Sequence, residues 1–190
     1  MIGIIARLRH FVPLNTLQHI YRSLIQPYLL YGITAWGPAD KIHRNKILCL
    51  QKRALRLIFF GDYKAHAVPF FISSSLLPLD LLYFKSVAVF MYDVSNNTSP
   101  PQISNLFNYQ HNILSHNTRS STRDNFFLKY SRSDKQNMSF SRNGVRVWKN
   151  LSNEIHQMPK VKFKRNIHNM LLQKLSEANE YIDLLELNMS

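Results

Sequence analysis

The chain has a single cysteine, Cys49, in 190 residues, so neither an internal disulfide framework nor a zinc site built on paired cysteines can form. That suits a reducing compartment, and an intracellular place, nucleus or cytoplasm, is expected. With five Gly and eight Pro, the chain is neither fibrous nor turn-dense. Long apolar runs are missing too. The stretch from Leu24 to Trp36 is interrupted by Gln26, Pro27 and Thr34, short of the ~20 residues that span a bilayer. The opening MIGIIARLRH has no basic stretch ahead of its apolar residues and does not read as a secretory signal. The expectation is a soluble chain with no membrane partner.

Acidic residues are scarce and scattered. Before residue 177 they stand at 40, 62, 80, 93, 124, 134 and 154, so no two are closer than ten residues. Two-metal catalysis needs carboxylates converging on one point, and no local acidic pair supplies them. His111 and His116 are five apart, not the four that puts two ligands on one helix face. The other histidines are isolated. Ser73, Ser74 and Ser75 lack a G-x-S-x-G elbow, and neither a G-x-G-x-x-G nor a P-loop string occurs. No catalytic residue, metal, cofactor or small-molecule substrate is expected.

What the chain does hold is cationic charge among aromatics. Hydrophobic residues at 45% and aromatics at 12% separate it from a disordered basic tail. Twenty-four Lys and Arg against 11 Asp and Glu give +13, which implies an anionic partner. All 24 cations lie in residues 1–176 with seven acids, a formal +17, while Glu177, Glu180, Asp183 and Glu186 make the last fourteen residues −4. That end is either a solvated acidic turn or a tail that folds back on the basic body and competes with an anionic ligand. Three cationic clusters stand out: Lys46, Lys52, Arg53 and Arg56; then Arg119, Arg123, Lys129, Arg132, Lys135, Arg142 and Arg146; then Lys160, Lys162, Lys164 and Arg165. Such groups neutralise phosphates, and aromatic faces stack on unpaired bases. The string KVKFKR at 160–165 also fits a nuclear address or the wet first turn of a helix.

Periodicity predicts a mainly α fold. Residues 14–33 show Leu17, Ile20, Tyr21, Leu24 and Ile25 at helical spacing, with Pro27 expected to kink the helix. Residues 39–60 form the clearest amphipathic pattern, with Ile47, Leu50, Ala54, Leu55, Leu57 and Ile58 on one arc and Lys52, Arg53 and Arg56 opposite. Gly61 is the expected terminator. Residues 76–95 read as a buried helix closed by NNTSPP. Short strands are expected at 126–131 and 137–141, as a hairpin or irregular basic loop. Helical patterning returns at 142–150, and at 161–176 with Phe163, Ile167, Met170, Leu171 and Leu175 on one face.

Residues 20–58 resemble the stretch after the polymerase core in non-LTR retrotransposon reverse transcriptases of the jockey and CR1-like type. The resemblance lies in a Y-G-x-x-x-W-G turn, Tyr31 to Gly37, and a K-x-A-x-R-x-I string, Lys52, Ala54, Arg56 and Ile58. HNTRSS at 116–121, FSRNGVRVWKNLSNEI at 140–155 and FKRNIHNML at 163–171 are similar to that family's C-terminal blocks. After Trp148 the family's Asn is displaced and its Pro is missing. The resemblance implies a thumb-like helical region at 1–95, a basic polar linker with a candidate hairpin at 96–142, a C-terminal helical segment at 143–176 and the acidic tail at 177–190. It also implies an RNA-directed DNA polymerase fragment whose catalytic palm, with its paired aspartates, is absent. Its work would be non-specific binding of template–primer or element RNA. A protein–protein module, or a decayed reading frame without selected function, is the alternative.

Overall fold

Pro27 shows how the first long helical stretch is built. In the computed structural model, which describes residues 1–110, 126–128, 130, 132 and 139–177, α1 (Ile2–Leu8) and α2 (Leu14–Ile20) lead into a π-helical turn at Tyr21–Ile25, followed by α3 (Gln26–Leu30). The Gln26 N–H reaches back five residues to the Tyr21 carbonyl. The widened turn takes in the proline that lacks a donor and would crowd a regular one. The helix expected over 14–33 then stops at Tyr31, because Gly32 adopts φ +60, a left-handed conformation open to glycine without strain. The short α4 (Ile33–Trp36) turns back, and the Trp36 indole Nε1–H donates to the Tyr31 carbonyl at 2.7 Å. A Cβ on Gly37 would run into the Tyr83 ring and the Ile33 carbonyl. The Y-G-x-x-x-W-G string is therefore a turn held by one aromatic hydrogen bond and one close backbone approach.

The described residues divide into two compact units, one of 1–83 with 168–177 and the other within 84–167. The first is centred on α5 (Lys41–Ile58), against which α1, α2 and α6 (Val68–Ser73) pack. Its buried face is Arg44, Leu48, Gln51, Ala54, Leu55 and Ile58. This corrects the expected arc: Leu50 is 51% exposed. Two polar residues, Arg44 and Gln51, occupy core positions that a count of apolar residues passes over.

Gln51 earns its place by hydrogen bonding. Its amide donates to Tyr21 Oη at 3.0 Å and to the Leu77 carbonyl at 2.9 Å, and its oxygen accepts from the Leu79 N–H at 2.9 Å. That last bond caps α7 (Leu79–Ser95), where Pro78 has ended the preceding chain. Burial pushes the Tyr21 phenol up to about 12 even though Gln51 bonds to it. Gln51→Leu strands three buried polar groups, each with a desolvation penalty of about 1–3 kcal/mol. A loss of at least about 2 kcal/mol is expected in urea unfolding, and a loss below 0.5 would show that water reaches the site.

Helices α5, α6 and α7 end alike. Phe60, Ser75 and Asn97 have φ of 54, 51 and 54, and the next residue's N–H bonds five residues back: Gly61 to Arg56, Leu76 to Phe71, Thr98 to Asp93. This is a Schellman closure. Gly61 is not the left-handed residue expected of it; Phe60 is, with the Arg9 guanidinium 4.5 Å from its ring centre. Gly61 is small because a Cβ there would meet the Phe70 ring at 2.7 Å.

The second unit is built on a helical stripe. Phe140, Gly144 and Trp148 recur at four-residue spacing on α9 (Phe140–Lys149), which follows the short α8 (Pro101–Ser104) in the described chain. Phe140 packs edge-on against Phe90 and Phe107 at 5.0 and 5.7 Å. A Cβ on Gly144 would sit 2.7 Å from the Met91 sulfur. Trp148 stacks on His156 at 4.0 Å and meets Phe163 at 6.2 Å and Phe126 at 6.4 Å. The strand expected at 137–141 is thus corrected for 140–141, which are helical because that stripe has a helical period. Of the other strand, Phe126 forms one isolated antiparallel bridge with Tyr109, and no strand occurs among the described residues. Short α10 (Asn153–His156) leads to α11 (Lys160–Glu177), whose buried Phe163, Ile167, Leu171 and Leu175 are four of the five residues expected on that face, Met170 being half-buried. The fold is mainly α.

Candidate nucleic-acid interface

Both 18-residue helices, α5 and α11, carry lysine or arginine in their first turns, although Asp40 stands at the N-cap of α5. A helix N-terminus bears partial positive charge and favours carboxylates there, so each cation works against its own helix by a few tenths of a kcal/mol. The arrangement raises the positive potential that a phosphate would meet.

On α5, Lys46 and Arg53 are exposed seven residues apart, hence on one face, and Lys52 is partly buried. Arg56 is engaged within the fold: its Nε–H donates to the Ala65 carbonyl at 2.7 Å and ties down the loop after the helix. A hollow of about 320 Å³ opens beside this face, lined by Lys41, Arg44, Asn45, Leu48, Cys49, Lys52 and Asp80. Arg44 Nη1 donates to Asp80 Oδ1 at 2.8 Å, both side chains 10% exposed. Asp80 sits in the first turn of α7, the favourable end for a carboxylate. Burial pushes the Lys52 ammonium below its ordinary pKa, with Arg56 adding to the effect while Asp80 and Cys49 oppose it.

In the second unit, Lys160, Lys162, Lys164 and Arg165 are exposed over the first two turns of α11. Lys160 is paired with Asp93 at 2.6 Å. Lys85, on α7, has its ammonium pushed below the usual lysine range by burial and then by the like charge of Lys164. Arg142 and Arg146 on α9 are partly buried, and Arg132 is exposed. Arg119, Arg123, Lys129 and Lys135 lie outside the described residues, as does HNTRSS. Lys41, Arg44, Asn45 and Lys85 were not singled out by the sequence. The signal for Lys41 and Asn45 was the helical stripe Lys41, Asn45, Cys49 and Lys52, which composition does not reveal, while Arg44 falls on the buried arc with Leu48 and Gln51.

Among the described residues no group of three His, Cys, Asp or Glu side chains could hold a metal ion, and no helix is long and apolar enough to cross a membrane. A relative is detectable. The chain is 42% identical over 50 residues to the RNA-directed DNA polymerase from mobile element jockey of Drosophila melanogaster. The match covers 26% of this chain and 6% of that polymerase. The chain thus contains a region similar to a retrotransposon RNA-directed DNA polymerase. No family model matches it, and no solved structure does.

Proposed function

We propose that this chain grips nucleic acid, RNA or an RNA/DNA duplex, as the thumb and following region of a retrotransposon polymerase does, without joining nucleotides itself. The observation that carries the reading is the exposed row Lys160, Lys162, Lys164 and Arg165 over the first two turns of α11, a concentration of positive charge that suits a polyanion. The similarity to a polymerase that acts on RNA supports it. The scattering of the acids along residues 1–176 supports a gripping role separate from metal-dependent transfer. Contacts to phosphate carry no sequence information, so recognition is indifferent to base order.

The test is an anisotropy titration with labelled single- and double-stranded oligonucleotides of unrelated sequence. Dissociation constants of about 1–100 μM near physiological salt are expected, equal within a few-fold across sequences. No binding at about 50 mM salt would sink the proposal. A protein-binding module is the second reading. It is favoured by a run of exposed apolar side chains in the first unit: Phe11, Tyr28, Tyr31, Ile42 and Tyr63 are 84, 69, 85, 69 and 84% exposed. That reading stands if the titration shows nothing.

A further inference from the structure

We infer that the ring of Phe60, backed by the Arg9 guanidinium, is a stacking platform for an unpaired nucleobase. That the base belongs to a bound strand rests on the function proposed above.

The position is an uncommon one for an aromatic side chain. Phe60 closes α5 with φ 54, in the left-handed region where a bulky residue is an outlier and where stored strain points to function. The same closure at α6 and α7 is made by Ser75 and Asn97. Glycine takes that conformation without strain, and one stands a single residue on, at Gly61. The ring is not there to fill the core, because Phe60 is 51% exposed. Packing falls to its neighbour: Phe59 stacks on Phe70 at 5.3 Å with an interplanar angle of 12°.

Two groups from the end of α1 fix the ring. The Arg9 guanidinium lies over it, 4.5 Å from the centroid, and His10 meets it edge-on at 6.1 Å. The Nε of Arg9 is buried and makes no hydrogen bond, so the π-face is what holds the guanidinium. With one face under Arg9, the exposure of the ring lies on the other, where a planar base can stack. The ring is already held in place, so little side-chain freedom is lost on binding. Charge suits the strand that carries such a base. Arg7, Arg9 and Lys64 stand within four residues of Phe60 or His10 along the chain, against Asp62, a formal +2. Arg7 and Lys64 are exposed, as is Asp62, and cations beside the ring favour the phosphates on either side of a stacked base. Aromatic surface continues along the chain: Phe11 follows His10 and Tyr63 follows Gly61 by two residues, each 84% exposed. A duplex hides the faces of its bases, so the ligand is an unpaired one.

The experiment compares, by anisotropy, a short labelled single-stranded RNA with an abasic strand of the same length and backbone charge, for the full chain and two variants of it. Phe60→Gly removes the ring and relieves the left-handed strain, so helicity by circular dichroism and the urea midpoint should be kept. It should weaken the base-bearing strand about 5- to 150-fold, the range for one stacked base. The abasic strand and the salt slope should not change, because phosphate contacts are untouched. Phe60→Tyr keeps the stacking face and should bind as the parent does. A Phe60→Gly chain that binds the RNA as tightly as the parent, or that loses both strands alike, overturns the platform and leaves the proposed function standing. A Phe60→Tyr chain as weak as Phe60→Gly overturns the platform too. Binding of neither strand by the parent sinks the proposed function, and the platform with it.

Discussion

Asp80→Ala is expected to lower the unfolding free energy by about 3–5 kcal/mol, the cost of breaking a buried ion pair from one side. Arg44 reaches Asp80 at 2.8 Å with both side chains 10% exposed, far from the solvent-screened setting in which ion pairs contribute at most about 1 kcal/mol. The carboxylate also sits in the first turn of α7, so its removal withdraws a favourable dipole contact. Replacing both partners, Arg44→Met with Asp80→Leu, should restore most of the stability, since buried pairs are often matched by apolar residues of similar volume. Urea unfolding of the two variants decides the matter. A loss below about 1 kcal/mol for Asp80→Ala would place the pair in solvent.

Trp148→Ala should be as damaging in the second unit, at about 3–5 kcal/mol for a buried tryptophan. The indole is 3% exposed and is the meeting point of Phe126, His156 and Phe163. Its neighbour supplies a readout specific to this packing. His156 stacks on the indole at 4.0 Å with an interplanar angle of 6°, and burial lowers its pKa below the ordinary histidine value while a bond to the Trp148 carbonyl opposes the shift. A depressed folded value means the neutral ring is the one the fold favours. Its contribution to stability is therefore full above the unfolded pKa, about 6.5, and declines as pH falls through the lower folded value. Trp148→Ala should flatten that decline as well as lower the plateau. A variant that loses stability yet keeps the parent's pH profile between 5 and 7 would separate His156 from the indole.

The helices were legible where one apolar face repeats cleanly. Phe163, Ile167, Leu171 and Leu175 are buried as their spacing requires, and the near-continuous apolar run of α7 is core. Legibility failed where a polar residue took a core position. Gln51 is buried because three partners from distant parts of the chain satisfy it, and none of them is visible from its own helix. The same failure hid Arg44, whose partner stands 36 residues away. The strand expected at 137–141 rested on β-propensity over five residues. It yielded to a longer pattern, Phe140, Gly144 and Trp148, whose glycine is required by the approach of Met91. The Y-G-x-x-x-W-G and K-x-A-x-R-x-I strings turn out to be packing devices: a left-handed glycine, an indole hydrogen bond, an arginine tethering a loop. That explains why Arg56, read from sequence as a phosphate contact, is engaged inside the fold. Lys41 was hidden for a different reason. A charge at a helix start reads as ordinary until the helix boundary is known.

The slope of log binding constant against log salt for a single-stranded RNA tests the central claim most directly. Each phosphate neutralised contributes about −0.7 to that slope for single strands. Several contacts should give a slope of about −2 to −4, and the Lys162→Gln/Lys164→Gln chain should be shallower by about 1.4, two contacts' worth. Binding that holds constant between about 50 and 200 mM salt, or a slope that the double substitution leaves untouched, would contradict the account.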